Sequence, residues 1–130
     1  MHDSLSQVDL AKPDNLVHAL QQHAFSNPDA IAFRYLDSAG NETIAVTYSE
    51  LLVACERLGA SIQNRGLFNK RIIILLPNEP DFVFAFLGCV CAGAISIPIE
   101  PTRKANTIDR LQGVISDAQP AVIISSEATL

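Results

Sequence analysis

The chain has 130 residues, 48% of them hydrophobic, which is enough for a single core. Fourteen acidic residues against nine basic ones give a formal net charge of −5. Lys70-Arg71 and Arg103-Lys104 are isolated pairs rather than a cluster, so nucleic-acid binding is disfavoured.

The first twelve residues read as a flexible leader without the basic stretch and apolar core of a signal peptide. Asp14 is placed to cap a helix running through about Phe25, with Leu16, Val17, Leu20 and Ala24 on one side, and Asn27-Pro28 ends it. From Ala30 to Leu36 the residues Ile31, Phe33 and Tyr35 alternate with Ala32, Arg34 and Leu36, a strand pattern. A loop at Asp37-Ser38-Ala39-Gly40-Asn41 turns the chain into a second strand over Thr43 to Val46, which makes a hairpin.

Thr47-Tyr48-Ser49-Glu50 has the form of a capping box. The Thr47 hydroxyl oxygen can accept from a first-turn amide while Glu50 reaches back to the Thr47 N–H. The helix it opens carries Leu51, Leu52, Cys55, Leu58 and Ile62 as an apolar stripe and stops near Arg65-Gly66. Ile72-Ile73-Ile74-Leu75-Leu76 is apolar without alternation, which suits a strand of a parallel sheet buried on both faces. Pro77 and Pro80 break it, and Asp81 is expected to cap the helix from Phe82 to Ala92. Gly93 ends that helix, and Ala94-Ile95-Ser96-Ile97 is a short strand stopped by Pro98. Strand, helix and strand in this order form a crossover unit, right-handed by rule.

Glu100-Pro101-Thr102-Arg103-Lys104 is a polar loop, followed by an amphipathic helix over Thr107 to Ala118 through Ile108, Leu111, Val114 and Ile115. Gln119-Pro120 breaks it, and Ala121-Val122-Ile123-Ile124 is again a buried-type strand. A sheet that ends on a buried strand wants a further neighbour, so a larger domain cut short is expected. The class is α/β, a mixed or parallel sheet flanked by helices with an N-terminal hairpin.

The residues offer little chemistry. The first strand-to-helix turn, where α/β folds commonly hold phosphate, reads Pro77-Asn78-Glu79-Pro80, with no glycine and with a carboxylate that repels anions. Neither the dinucleotide fingerprint nor the nucleotide P-loop is present. His2, His18 and His23 lack a metal-ligand spacing and read as surface histidines. Cys55, Cys89 and Cys91 are odd in number and sit in apolar helical contexts, as buried free thiols of a reducing compartment do. Cys89 and Cys91 fall on opposite sides of their helix. Ser125-Ser126 lack a glycine elbow and read as a terminal loop. Glu100 and Asp81 are single carboxylates, and Phe82, Phe84, Phe86 and Leu87 read as core rather than the lining of a lipid pocket. The run Phe82 to Ile99 is long enough for a bilayer with Ser96 its only clearly polar residue, but Gly93 and Pro98 cut it into helix and strand, so no membrane span is expected.

Thr47-Tyr48-Ser49-Glu50-Leu51 resembles the "TYxEL" segment of the adenylate-forming (acyl-activating, ANL) superfamily. Pro80-Asp81-Phe82, then Ala85-Phe86-Leu87-Gly88-Cys89, Ala92-Gly93-Ala94-Ile95 and Pro98, is similar to that superfamily's "F…AFLGCLYAGAIAVP" stretch. Asp117-Ala118-Gln119-Pro120 before an apolar strand matches "DAxPxxVL", and Phe33-Arg34-Tyr35-Leu36 with Glu42-Thr43 is similar to its first hairpin. Over about residues 14 to 125 the chain looks most like the N-terminal part of a fatty acyl-AMP ligase, although Glu100-Pro101-Thr102 stands where those ligases usually carry a Tyr-Pro-Pro-like stretch.

The resemblance implies that residues 13–130 are the N-terminal fragment of an AMP-binding (adenylation) domain, part of the large lobe. The full-length enzyme would use ATP and Mg2+ to convert a fatty acid to acyl-adenylate. It would then pass the acyl group to an acyl carrier protein or, in sister families, CoA. The superfamily's phosphate loop, adenine and magnesium motifs and C-terminal lysine would all follow Leu130. No catalytic, cofactor-binding or metal residue is therefore assigned to any position here, and this segment alone is expected to be inactive and to bind no cofactor. An acyl-CoA synthetase, an amino-acid adenylation domain and a non-catalytic binding module on the same scaffold are the alternatives.

Overall fold

The computed structural model describes residues 15–101 and 107–126. They belong to two compact units divided between Ala54 and Cys55. The expected leader, His2 and Asp14 lie outside the described residues.

In the first unit, α1 (Leu16–Ser26) is capped by Asn15, whose side-chain oxygen accepts the His18 amide at 2.8 Å. The cap thus falls one residue later than Asp14. Asn15 has the extended backbone a cap requires, and its oxygen satisfies an amide that the first turn leaves unpaired. Leu20 and Ala24 are the buried residues of α1. The strands β1 (Ile31–Leu36) and β2 (Glu42–Thr47) pair antiparallel, with Phe33 opposite Val46 and Tyr35 opposite Ile44. Their loop is closed by one side chain: Asp37 Oδ1 accepts the amides of Ala39 and Asn41, each at 2.9 Å. The Asn41 amide foremost holds the Asp37 carboxyl below its ordinary range. Gly40 takes the left-handed turn at φ +87°.

The capping box forms as expected at the start of α2 (Tyr48–Asn64). The Glu50 amide donates to Thr47 Oγ1 at 3.1 Å, and the Thr47 amide donates to Glu50 Oε1 at 2.9 Å. The ring of Tyr48 stacks on His23 with centroids 4.9 Å apart.

The second unit is built on β3 (Arg71–Leu75), the centre of a parallel sheet ordered β4-β3-β5, with β4 spanning Ile95–Pro98 and β5 Val122–Ser125. Ile72 pairs with Ser96 on one side and Val122 on the other, and Ile72, Ile73 and Ile74 have no exposed surface. Pro98 is the last residue of β4 rather than the residue that stops it, which an edge strand tolerates because no ladder donor is needed there. Ser125 is likewise not in a loop. It pairs with Leu75 as the last residue of β5, and its hydroxyl donates to the Leu75 carbonyl at 3.2 Å.

The helix α3 (Pro80–Ala92) differs from expectation at both its cap and its buried face. Its cap position is Glu79, which makes no side-chain cap hydrogen bond, and Asp81 lies in the first turn. Pro80 explains the shift: its ring presets helical φ and it has no N–H for a cap to satisfy. Asp81 still places a carboxylate at the positive end of the helix dipole. The fully buried side of α3 is made of the small residues Ala85, Gly88, Cys89 and Ala92. Phe82 and Phe86 are half-buried against the core rather than within it, and Phe84 and Leu87 are also only half-buried. Close helix packing gives the reason. A Cβ on Gly88 would lie 2.9 Å from Leu58 Cδ2 and 3.0 Å from Leu58 Cβ, so α2 and α3 meet where only glycine fits.

Gly93 closes α3 at φ +74°, its amide bonding the carbonyls of Cys89 and Val90. Residues 82–99 are thereby split into helix and strand, and no helix among the described residues is long and apolar enough to cross a membrane. The helix α4 (Thr107–Ala118) half-buries Leu111 and Val114 but leaves Ile108 and Ile115 exposed, so only part of its expected stripe is covered. Arg71 Nε donates to the Ala118 carbonyl at its end. In β5, Val122 and Ile124 pack on the core while Ile123 turns outward.

Three substitutions test these contacts. Thr47→Ala removes one half of the capping box and should cost about 1 kcal/mol in denaturant unfolding. The carboxylate of Glu50 has its pKa lowered from 4.5, first by the Thr47 amide. Its contribution is therefore present above pH 4.5 and lost as the pH falls through the lower folded value, a dependence absent from Glu50→Gln. Gly88→Ala drives a methyl into Leu58 and should cost about 2 kcal/mol, read as a lower denaturation midpoint at unchanged m-value.

Candidate functional site at the carboxyl ends of the parallel strands

The sheet order places the reversal of chain direction at β3: the chain leaves β3 for β4 on one side and returns to β5 on the other. In open α/β sheets the crevice outside the carboxyl ends of the strands at such a point is the usual ligand position. Two concavities lie there. One, of about 290 Å³, is lined by Leu76, Asn78, Phe82, Ile99 and Glu100. The other, of about 220 Å³, is lined by Leu58, Leu76, Asp81, Phe84, Ala85 and the end of β5. Leu76, itself buried, is common to both.

Their walls are apolar with a few polar groups already engaged. The Ser125 hydroxyl is tied to the Leu75 carbonyl, so it is not poised as a nucleophile. The Glu100 carbonyl accepts from Arg110 Nη2 at 2.9 Å. Asp81 and Glu100 contribute carboxylates, one to each concavity, and among the described residues no Lys or Arg lines either one. The turn 77–80 contains no glycine. These residues do not fit a nucleotide triphosphate or its metal ion, whose charges need cations and open backbone amides.

Other sequence candidates lie elsewhere. His18 and His23 are on α1, and His23 is occupied by the Tyr48 ring. Among the described residues no group of three or more His, Cys, Asp or Glu stands together as a metal site. Cys55, Cys89 and Cys91 are free thiols. Burial pushes Cys55 up to about 12 and Cys89 up to about 11, so both are protonated at neutral pH. The half-buried Cys91 is raised for the same reason. Asn78 and Ile99, which border the larger concavity, carried no signal beyond lying at the carboxyl ends of apolar strands.

Comparison with known proteins places this scaffold. The pattern of the AMP-binding enzyme family matches residues 20–130. The chain is 28% identical over 121 residues to the medium-chain-fatty-acid–[acyl-carrier-protein] ligase JamA of Moorena producens, covering 89% of this chain and 20% of JamA. It is 29% identical over 126 residues to the long-chain-fatty-acid–AMP ligase FadD23 of Mycobacterium tuberculosis, covering 95% of this chain and 21% of that protein. The crystal structure of a fatty acid AMP ligase from Legionella pneumophila superposes with a TM-score of 0.83 at 23% identity over 92% of this chain and 21% of that one, which shows the fold alone. The chain thus spans about a fifth of the length of the relatives it matches. With the capping box, the crossover unit around β3 and the match over residues 20–130 all in agreement, this chain belongs to the AMP-binding enzyme family and carries the N-terminal part of its fold.

Proposed function

We propose that the chain is the N-terminal part of a fatty acid-activating ligase, which forms an acyl-adenylate from a fatty acid and ATP and passes the acyl group to an acyl carrier protein. The observation that carries this reading is the family match over residues 20–130, together with relatives named as fatty-acid ligases with acyl carrier protein or AMP. Transfer to a carrier protein is favoured over CoA by the likeness to JamA, whose name states that acceptor. A cytoplasmic location accords with three free cysteines and with the absence, among the described residues, of a helix able to cross a membrane.

In the reaction proposed, a fatty acid carboxylate attacks the α-phosphorus of ATP, and pyrophosphate leaves. The carrier's thiol then attacks the acyl carbon, and AMP leaves. Mg2+ would neutralise phosphate charge during the first step. The residues described here contribute no group to either step. Their part is to hold a fully buried central strand, whose carboxyl end is where such folds present their chemistry.

The test uses the full-length gene product with fatty acid, ATP and Mg2+. Acyl-adenylate detected by mass spectrometry, followed by loading of a holo acyl carrier protein in preference to CoA, is the expected result, and the isolated 130-residue segment should form none. Efficient loading of CoA with the carrier protein ignored would make it an acyl-CoA synthetase. Adenylation of amino acids but not fatty acids would make it an amino-acid adenylation domain. A full-length product that binds partners but adenylates nothing would make it a non-catalytic module.

A further inference from the structure

Two of the three thiols of the second unit, Cys55 on α2 and Cys91 on α3, lie near the point where these helices cross closely. A Cβ on Gly59 would sit 3.0 Å from Cys91 Cβ and 3.3 Å from the Gly88 carbonyl oxygen. Cys55 lies four residues before Gly59 on the same side of α2, about 6 Å away between Cβ positions. It is fully buried there, while Cys91 is partly open to solvent. The two thiols are near enough that charge on Cys91 raises the pKa of Cys55, and Glu56 acts on both. Cys89, two residues before Cys91, is on the other side of α3 in the core with Ile62 and Leu67.

We propose that Cys55 and Cys91 are an oxidative modification site, which a hydroperoxide converts to an intramolecular disulfide that pins α2 to α3. The accessible Cys91 sulfur attacks a peroxide oxygen, the O–O bond breaks, and water (or an alcohol, from an organic peroxide) leaves, giving a sulfenic acid. The Cys55 sulfur then attacks the Cys91 sulfur, the S–O bond breaks, and a second water leaves. The two thiols lose two electrons to the peroxide, and both thiol protons end in the oxygen products. A disulfide needs Cβ atoms about 4 Å apart, and Gly59, which has no side chain, lets Cys91 come against α2 one turn from Cys55, while Leu58 packs on Gly88. Burial keeps both thiols protonated, so the reaction is slower than that of a free cysteine. The site is independent of the function proposed above.

The experiment exposes the reduced chain to hydrogen peroxide, then unfolds and alkylates it for intact mass and peptide mapping. The expected product has lost about 2 Da, takes a single alkyl group on Cys89 and yields a peptide pair joined through Cys55 and Cys91. The mass loss persists in Cys89→Ser and disappears in Cys55→Ser and Cys91→Ser. Three alkylated cysteines, a bridge that includes Cys89, a dimer joined through Cys91, or Cys91 carried to sulfinic or sulfonic acid without a bridge would each overturn the proposal. The wild-type measurement decides this even where a serine variant does not fold.

Discussion

Three consecutive isoleucines with no exposed surface set the conditions for the second unit. Each contributes roughly 2–3 kcal/mol when its side chain leaves water, and Ile72–Ile74 do so only if the strand is covered on both faces and paired on both edges. Parallel pairing to β4 and β5 supplies the edges, and the crossover helices supply cover. Everything that follows in the chain, from the turn at Pro77 to the register of Ser125 against Leu75, serves that requirement.

The helix α3 shows how such cover is achieved at short range. Its mean character is strongly apolar, yet the α3 atoms nearest Gly59 of α2 belong to Cys91, Gly88 and Ala92 rather than to its phenylalanines. Small residues let two backbones approach, and the dispersion gained along the whole contact outweighs what a larger side chain would bury at one point. The phenylalanines are then left half-buried at the rim, where Phe82 and Phe84 border the two concavities at the carboxyl end of β3. The same close crossing brings Cys91 to Gly59, so a packing device also determines the surroundings of the thiols.

The scaffold and the chemistry are separable in this part of the molecule. The carboxyl end of β3 has the position of a ligand site but, among the described residues, walls of Leu76, Phe82 and Ile99 and carboxylates in place of cations. A turn such as residues 77–80, closed at both ends by proline, stiffens the passage from strand to helix and offers no glycine to let an anion approach the backbone.

Local chemistry was legible in the sequence. The Thr47–Glu50 capping box, the unalternating strand at Ile72, the left-handed stop at Gly93 and the hairpin loop at Asp37 each depend on groups within a few residues of one another, so spacing alone determined them. The motif resemblance pointed to the family for the same reason, since those motifs are local. What the tertiary structure decided involves partners distant in the chain. The order β4-β3-β5 is one such case; the burial of Ala85 and Gly88 instead of the phenylalanines is another. Ser125 became a strand residue because β3 lay beside it, and Cys91 met Gly59 because glycine let the helices touch. Composition and period report which residues avoid water, but which neighbour they find depends on shape, and shape exists only once the elements have packed.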